Sequence, residues 1–395
     1  MEKIIKLNVD GDKIVFTEDF ISSIKSFLSG CRVNFLLGAG FSANLLGVLN
    51  NKEIIFQALD KYQPVSDDDK KKVTILKAYL YWSFFNSCIA PIADKASPYK
   101  TDFKPYIIFG DNLYRIFSER SNPALDRQFN IFTTNYDPII EVAFDRSNCI
   151  CNDGFEGRII PRFSTDNYSK SFYRQAMFSN RKSEIPSLNL LKLHGSLTWK
   201  KDIIGGGLIY QDFKKSIKEL NSEYETLFDN SMLKNIDAHF TANSDDEAKR
   251  QISSIIPTCF FDSSISNIDK YEKFICDYKN SILIVNPTKE KFSDTLLNKN
   301  YYELLRIFSN ELEKENSLLV VNGFSFRDEH ILDLVKRSMI NPSLKVIIFC
   351  YEEKSITEYQ RLLEQPKNNN ITYVALENEK LSLDYFNQIL SEIHV

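Results

Sequence analysis

Apolar and polar positions in the last third of the chain follow strand and helix periods in alternation. Continuous apolar runs such as SLLVV and KVIIF are each followed by a stretch of helical period. Such runs are typical of strands covered on both faces, and strands that alternate with helices of about ten or more residues indicate a parallel, doubly wound sheet. The predicted elements are strands at 281–287, 317–324, 344–351 and 370–376 and helices at 301–316, 328–339, 352–365 and 382–393.

The first half of the chain supplies further strands and two insertions. The strands are predicted as a hairpin at 3–16 and single strands at 33–37, 129–135 and 188–199. A helical stretch at about 52–125 and a charged, helical stretch at about 212–280 interrupt this pattern, and residues 150–188 are polar and irregular. We therefore predict one α/β domain over residues 1–395, built on a doubly wound parallel sheet with helical insertions.

The composition is that of an ordinary globular protein, with 43% hydrophobic residues among 395 and a formal net charge of −4. This mild acidity argues against a broad nucleic-acid-binding surface, so we expect no direct nucleic-acid binding. No stretch approaches the roughly 20 apolar residues that span a bilayer, and the N-terminus lacks the apolar core of a signal peptide. We expect a cytoplasmic protein that does not contact a membrane.

The cysteines favour neither disulfides nor a metal site. There are 7 of them, an odd number, and disulfides are rare in a cytoplasmic chain of this size. Only Cys149 and Cys151 lie close together, whereas a structural zinc site typically needs two short-spaced ligand pairs. We therefore expect no bound metal, and thiols that act as small apolar side chains.

The first candidate for chemistry is FLLGAGFSANLLG, an apolar strand that runs into a glycine-rich turn. Glycine lets the backbone approach a pyrophosphate, and a helix N-terminus offers free N–H groups to the anion. The third glycine of the usual G-x-G-x-x-G pattern is alanine here, so a tight turn without a ligand is the alternative. The candidate phosphate-binding residues are Gly38, Ala39, Gly40, Ser42 and Asn44, of which the last two are predicted to open a helix.

Polar side chains also end the strand FNIFTTN. Thr133, Asn135 and Asp137 follow its apolar residues directly. Strand ends of an α/β sheet are where such proteins place ligand-binding groups. The alternative is that Asn, Asp and the Pro that follows simply stop a strand and start a helix.

Two further strand ends carry polar residues. His194 in KLHGSLTW is one of 4 histidines, and it is a candidate proton acceptor, although a lone histidine is more often structural. Gly323 and Ser325 lie on the loop after the strand SLLVVN. Asp328 lies at the start of the next predicted helix, where the helix dipole favours a negative charge. We expect a structural role for His330 inside that helix.

A parallel sheet brings the ends of all four strands to one edge. Each segment has its own structural explanation. Together, a glycine-rich loop, an Asn/Asp pair and a histidine at that edge favour a site that processes a nucleotide.

The order G-A-G-x-S, T-x-N-x-D, H-G and G-x-S resembles the sirtuins, NAD-consuming enzymes with a Rossmann-like domain. The segments FTTNYD, KLHGSLTW and NGFSFRDEHI are more similar to bacterial sirtuin-like proteins of antiphage defence than to protein deacetylases. The resemblance covers about residues 30–50, 128–200 and 280–350. It implies a Rossmann-like fold and NAD as the substrate.

Two departures from the sirtuin pattern point away from deacylation. Sirtuin deacylases carry a zinc module with two C-x-x-C pairs after the H-G motif, and this chain has no such module. The Gln and Ile of the sirtuin T-Q-N and N-I-D motifs are Thr134 and Tyr136 here. The resemblance therefore implies an NAD glycohydrolase, which releases nicotinamide and ADP-ribose and needs no metal.

The resemblance also implies a role for each matching residue. Residues 38–42 would hold the NAD pyrophosphate, Thr133 would belong to the NAD-binding set, and the G-x-S segment would contact the adenosine ribose or its phosphates. Asp137 would bind the nicotinamide carboxamide. Asn135 would position the ribose and the attacking water, and His194 would act as the general base.

Such an enzyme would kill its host if it were always active. The resemblance therefore implies abortive infection under control, by homo-oligomerisation or by a partner ATPase of the HerA/FtsK type. Two alternatives remain open: an NAD-dependent protein deacylase or ADP-ribosyltransferase, and a catalytically silent scaffold that senses NAD or ADP-ribose. A scaffold would not need both Asn135 and His194.

Overall fold

The computed structural model describes residues 3–46, 52–122, 124–242, 244–285, 295–364 and 370–394. The chain folds into two compact units, which we name the sheet unit and the helical unit. The sheet unit consists of Met1–Leu45, Ala96–His194 and Asn300–Val395, and the helical unit consists of Leu46–Lys95 and Gly195–Lys299.

Strands and α-helices alternate along most of the chain. The strands are β1 (Lys3–Asp10), β2 (Lys13–Val15), β3 (Arg32–Leu37), β4 (Gln128–Thr133), β5 (Ile150–Asn152), β6 (Phe155–Glu156), β7 (Arg162–Phe163), β8 (Tyr173–Gln175), β9 (Lys182–Glu184), β10 (Ser187–Lys192), β11 (Trp199–Lys201), β12 (Leu208–Tyr210), β13 (Ser317–Asn322), β14 (Lys345–Phe349) and β15 (Ile371–Leu376). The helices are α1 (Glu18–Gly30), α2 (Ala39–Ser42), α3 (Lys52–Asp60), α4 (Asp67–Phe84), α5 (Ile92–Lys95), α6 (Lys104–Glu119), α7 (Ile139–Phe144), α8 (Phe213–Tyr224), α9 (Asn230–His239), α10 (Asp245–Ile255), α11 (Ile268–Ser281), α12 (Thr295–Glu313), α13 (Glu329–Ser338), α14 (Ser355–Leu363) and α15 (Leu383–Ser391).

A nine-stranded sheet with the order β2-β1-β15-β14-β13-β3-β4-β10-β5 forms the centre of the sheet unit. Every neighbouring pair is parallel except β1 and β2, which form an antiparallel hairpin at the edge. β13 is buried along its whole length, as its continuous apolar run predicts, and β10 is buried along its whole length as well. Parallel strands in one sheet need crossover connections, and the helices between them supply these.

Helices cover both faces of this sheet. The ring of Phe35 in β3 lies 6.2 Å from that of Phe109 in α6, whereas the ring of Phe132 in β4 lies 4.8 Å from that of Phe308 in α12. Phe35 pairs with Ile131, so Phe35 and Phe132 point to opposite faces, because side chains alternate along a strand. The predicted doubly wound α/β fold is therefore confirmed.

Four strands of the sheet end at one register row. Asn322 of β13 pairs with Leu37 of β3, and Leu37 pairs with Thr133 of β4. Thr133 in turn pairs with Lys192 of β10. The chain runs outward from β3 to β4 and returns beside β3 as β13, which creates a topological switch point, where open α/β sheets bind ligands. The four motifs predicted from the sequence all leave the sheet at this edge.

The loops after β3 and β13 touch backbone to backbone. The Gly38 N–H donates to the Asn322 carbonyl at 3.2 Å, and the Gly40 N–H donates to the Gly323 carbonyl at 2.9 Å. A Cβ on Gly323 would lie 2.2 Å from the backbone nitrogen of Phe41, and the φ of Gly323 is +66°. Both the space and the backbone angle therefore require glycine at this position.

The helical unit is built from both predicted insertions. α3 packs against α10, and α4 packs against α11. Its core is aromatic: the ring of Trp82 stacks on that of Phe228 at 4.7 Å and meets the edge of Phe274 at 5.7 Å. The described helices of this unit bury apolar faces against one another, as amphipathic helices do.

The boundaries of the two units do not follow the insertions predicted at 52–125 and 212–280. Residues 96–125 belong to the sheet unit, where α6 packs against α7 and α15. Residues 195–211 and 281–299 belong to the helical unit. Helical period alone cannot show which core a helix packs on, since an apolar stripe looks the same on either.

Two strand predictions also need correction. The strand predicted at 281–287 is absent over its described residues, because α11 continues to Ser281 and only an isolated bridge joins Ile284 to Gly195. The rest of that segment lies outside the described residues. Conversely, the stretch taken as irregular contains β5, which adds to the sheet beside β10. β5 has only three residues, too few for an alternation pattern to reveal it.

Among the described residues, no helix combines the length and apolar character that crossing a membrane would take.

We predict that Gly323→Ala lowers the free energy of unfolding by more than about 3 kcal/mol, because it adds a clash with backbone to an unfavourable φ. Gly11→Ala is the matched control. Gly11 has a φ of +58° and nothing within 4 Å of its added Cβ, so the loss should be about 1 kcal/mol. Urea unfolding of both variants measures the difference. Equal losses would show that the loop contact does not require glycine.

Candidate active site at the carboxyl edge of the sheet

The glycine-rich loop forms only one helical turn. α2 begins at Ala39 and ends at Ser42, so Ser42 and Asn44 do not open a helix as predicted; Asn44 lies in the following turn and is exposed. Ala39 and Gly40 are exposed as well. Because the N–H groups of Gly38 and Gly40 donate to the β13 loop, these two donors hold the loops together rather than face a ligand.

A hydrogen-bonded chain joins this loop to the end of β4. Asn135 Nδ2 donates to the Gly38 carbonyl at 2.9 Å and to Ser42 Oγ at 3.0 Å. Ser42 Oγ in turn donates to Asp137 Oδ2 at 3.0 Å. Asp137 Oδ1 accepts from the N–H of Ile139, the first residue of α7, so this carboxylate also satisfies a donor at the start of that helix. The structure thus brings three sequence-predicted residues, Asn135, Ser42 and Asp137, into direct contact.

Thr133, the last residue of β4, holds the backbone of Asn135 in place. Its hydroxyl donates to the Leu37 carbonyl at 2.9 Å and accepts from the N–H of Asn135 at 3.0 Å. The side chain is 0% exposed, so it shapes the strand end and does not reach a ligand. Asn135 itself uses both protons of its amide, and its Oδ1 accepts no hydrogen bond from any described residue. Oδ1 is therefore the atom of Asn135 that can accept from a ligand.

His194 lies beside the carboxylate of Asp328, for which the sequence predicted only a favourable interaction with the helix dipole. Its Nε2 is 3.0 Å from Asp328 Oδ2, with 17% and 10% of the two side chains exposed. Nε2 makes no well-directed hydrogen bond within the described part of the chain. Asp328 Oδ1 accepts from Ile331 N as the N-cap of α13, which fixes the carboxylate next to the imidazole.

The ring of Tyr301 closes the other side of His194, with ring centroids 6.1 Å apart. Burial raises the pKa of the Tyr301 hydroxyl, and the Asp328 carboxylate adds to this. Tyr301 is therefore a neutral group beside the histidine at physiological pH. Its position on α12 gave no signal in the sequence, because a tyrosine in an amphipathic helix reads as core.

The loop after β13 presents one predicted residue to solvent. Ser325 is exposed, whereas Phe326 is buried and has a φ of +57°. Its ring packs against Phe324 at 5.1 Å and Tyr359 at 5.7 Å, which holds this unusual backbone conformation in place. His330 lies on α13 and is exposed, away from the buried network.

A buried ion pair supports the end of β4. The Lys192 side chain lies 3.1 Å from Glu141 Oε2 and donates to the Asp137 carbonyl. Their side chains are only 3% and 12% exposed. Burial raises the pKa of the Glu141 carboxyl to about 7, an effect that the Lys192 ammonium partly offsets. Neither residue was predicted, since a lysine at a strand end carries no signal of its own.

The edge therefore combines an exposed glycine-rich turn, a carboxamide oxygen, a carboxylate and a histidine without a well-directed hydrogen bond. These groups suit the binding of a polar ligand and the transfer of a proton. Within the ranges that the structure describes, no group of three or more His, Cys, Asp or Glu side chains could hold a metal ion.

Comparison with known proteins points to one family. Residues 130–244 match the family model described as a SIR2-like domain. The matched part contains Asn135, Asp137 and His194 but neither of the glycine-containing loops. No curated protein matches the chain. The match supports a Sir2-like protein that uses NAD.

We predict that Glu141 makes stability fall as the pH rises. A carboxyl whose pKa is raised in the folded protein binds its proton more tightly there, so its contribution is fully present below about pH 4.5 and is lost as the pH approaches 7. The unfolding free energy of the wild type, relative to Glu141→Gln, should therefore drop by up to about 3 kcal/mol across this window. Denaturant unfolding at a series of pH values tests this, and a difference that stays constant or grows with pH would contradict it.

Proposed function

We propose that the protein is an NAD glycohydrolase, which cleaves NAD to nicotinamide and ADP-ribose. The observation that carries this proposal is one register row of the sheet, from which the glycine-rich loop, Asn135 and His194 all emerge. The SIR2-like match supports NAD as the substrate. An NAD molecule laid along this edge would meet the exposed loop at one end and the Asn/His pair at the other.

The proposed reaction breaks the bond between the nicotinamide nitrogen and C1′ of the ribose. The electron pair leaves with nicotinamide, water forms the new bond to C1′, and one proton is released. Asn135 Oδ1 would accept a hydrogen bond from the water or a ribose hydroxyl. His194 would take the proton, and Asp328 beside it would stabilise the resulting cation.

The remaining residues would hold the substrate. Asp137 already accepts from Ser42 and Ile139, but each carboxylate oxygen has a second lone pair, which leaves capacity for the nicotinamide amide. The pyrophosphate would lie on the exposed turn around Ala39 and Gly40, and Ser325 would contact the adenosine half. Correct placement of water relative to C1′ would supply much of the acceleration.

We further propose that this activity depletes NAD in abortive infection by phage. A constantly active NAD hydrolase would be lethal, so control by homo-oligomerisation or by a HerA/FtsK-type ATPase is part of the proposal. This role is supported by the sequences of the motifs, which resemble those of bacterial sirtuin-like defence proteins.

We predict that Asn135→Ala and His194→Ala each reduce NAD turnover about 100-fold or more, because each removes a group that acts on the attacking water. His330→Ala is the matched control, since this exposed histidine lies outside the site. Nicotinamide and ADP-ribose are followed by chromatography, with and without any co-encoded ATPase. Products that form equally fast in all variants would contradict the assignment. NAD that binds without turnover under every condition would favour the sensing scaffold.

We predict that Asp328→Asn separates stability from catalysis. Asn caps a helix about as well as Asp, so the free energy of unfolding should change by less than about 0.5 kcal/mol. The charge beside His194 is lost, and kcat should fall about tenfold while KM stays close to the wild-type value. Steady-state kinetics and urea unfolding of the same preparation measure both effects. An unchanged kcat would remove Asp328 from the mechanism.

A further inference from the structure

A cavity lies at the edge of the sheet opposite the candidate active site, where β3 and β4 begin. Its volume is about 390 Å³, within the usual range of small-molecule sites. The sheet forms its floor, through Asn130 and Asn189, and α12 and the turn at 165–169 line it as well. All of these elements belong to the sheet unit. The NAD site proposed above uses none of these residues.

The half-buried Asn130 and the buried Asn189 of this floor belong to a longer row of hydrogen-bonded side chains, which we name the amide row. Asn152 Nδ2 donates to Asn189 Oδ1 at 3.0 Å, and Asn189 Nδ2 donates to Asn130 Oδ1 at 3.0 Å. Asn130 Nδ2 continues to Asn34 Oδ1 at 2.8 Å, and Asn34 Nδ2 ends the row on Ser317 Oγ at 2.9 Å. The members of the row are paired with one another, and replacing paired polar groups by apolar side chains of the same shape is often nearly neutral for stability. A polar floor is therefore not required by stability and suits a polar ligand.

Asn130 is the member of the amide row that has a donor to spare. One proton of its Nδ2 bonds to Asn34, and the described residues offer no acceptor for the other. Asn130 also lines the cavity. A ligand oxygen above the floor could accept this proton.

Arg120 supplies the charge of the cavity wall. Its side chain is almost completely buried, and the residue is only 3% exposed. One guanidinium nitrogen donates to the Asp126 carbonyl at 3.0 Å, another donates to the Cys31 carbonyl, and Nε has no hydrogen-bond partner. No carboxylate of the described chain lies at ion-pair distance from it. A guanidinium keeps its charge in proteins, so this is a buried cation with an unused donor.

The other cations around the cavity already have partners. Arg32, Lys314 and Arg306 have carboxylate oxygens at 3.7, 2.5 and 2.6 Å. Arg120 is thus the cavity-lining cation without a carboxylate at ion-pair distance in the described ranges, although the Asp126 and Glu184 carboxylates act on it from farther away. A buried guanidinium without a direct ion pair, next to a polar cavity, is suited to an oxyanion.

We propose that this cavity binds a small polyhydroxylated anion, with its phosphate or carboxylate group against Arg120 and its hydroxyl groups against the amide row. A sugar phosphate and a sugar acid share this chemistry. The volume exceeds what a bare inorganic anion needs, and the floor offers hydroxyls the spare Asn130 proton and the second lone pairs of the Asn130 and Asn189 amide oxygens. The site is separate from the proposed NAD hydrolysis, and its test involves no turnover.

The test is isothermal titration calorimetry on the full chain with D-ribose 5-phosphate, D-gluconate and D-ribose. At least one of the two anions should bind saturably, and neutral ribose should not. Which anion binds identifies the anionic group. Failure of both anions to bind, or equal binding of ribose, would overturn the proposal.

Arg120→Gln should weaken binding of the anion about tenfold or more, because a charge-assisted hydrogen bond is lost. Arg337→Gln is the matched control, an exposed arginine of α13 that should leave binding unchanged. Ser169→Trp leaves Arg120 intact and places a large ring at an exposed position of the cavity wall, so it should abolish binding by occlusion. This second variant decides the matter if Arg120→Gln does not fold. Unchanged affinity in Ser169→Trp would show that the anion binds elsewhere.

Discussion

The backbone contact between the loops after β3 and β13 is the constraint on which the candidate active site depends. Gly40 donates to Gly323, and a side chain on either glycine would meet the other loop at 2.8 or 2.2 Å. The contact joins the two loops at the topological switch point of the sheet, where open α/β sheets bind ligands. The outer side of the single turn α2, at Ala39 and Gly40, stays exposed. Gly38 and Gly40, the two glycines that suggest a phosphate loop, are thus also required by chain packing.

The polar groups at this edge are mostly satisfied by one another. The chain Asn135–Ser42–Asp137 ties β4 to the glycine-rich loop, and Lys192 ties β10 to the carbonyl of Asp137. Such a network is rigid, and a site that must place water relative to a sugar carbon gains from that rigidity. Among the described residues, Asn135 Oδ1 accepts no hydrogen bond, and His194 Nε2 faces the Asp328 carboxylate at 3.0 Å. These are the two residues that the proposed hydrolysis uses on the attacking water.

The sequence predicted the fold class and the common edge of the four motifs, because continuous apolar runs and strand-end polar residues are local signals. It did not predict the partition of the chain into units, since helical period does not identify the core a helix joins. Asp328 was seen but explained by the helix dipole alone. Its contact with His194 joins the segments that follow β13 and β10, which have two strands between them in the sheet, and only the three-dimensional strand order reveals it. Glu141 and Lys192 were missed for the same reason.

The amide row shows that some of this spatial information is present in the sequence. Asn34, Asn130 and Asn189 each lie three residues before the last residue of their strand. Parallel strands that end at one edge in register place equal offsets in one row, and these three asparagines indeed pair directly. A single Asn in an apolar strand predicts nothing about the sheet. An Asn at the same offset from the end of three strands indicates that these residues lie side by side. The repeated offset thus marks in the sequence the row that contributes Asn130 and Asn189 to the floor of the cavity.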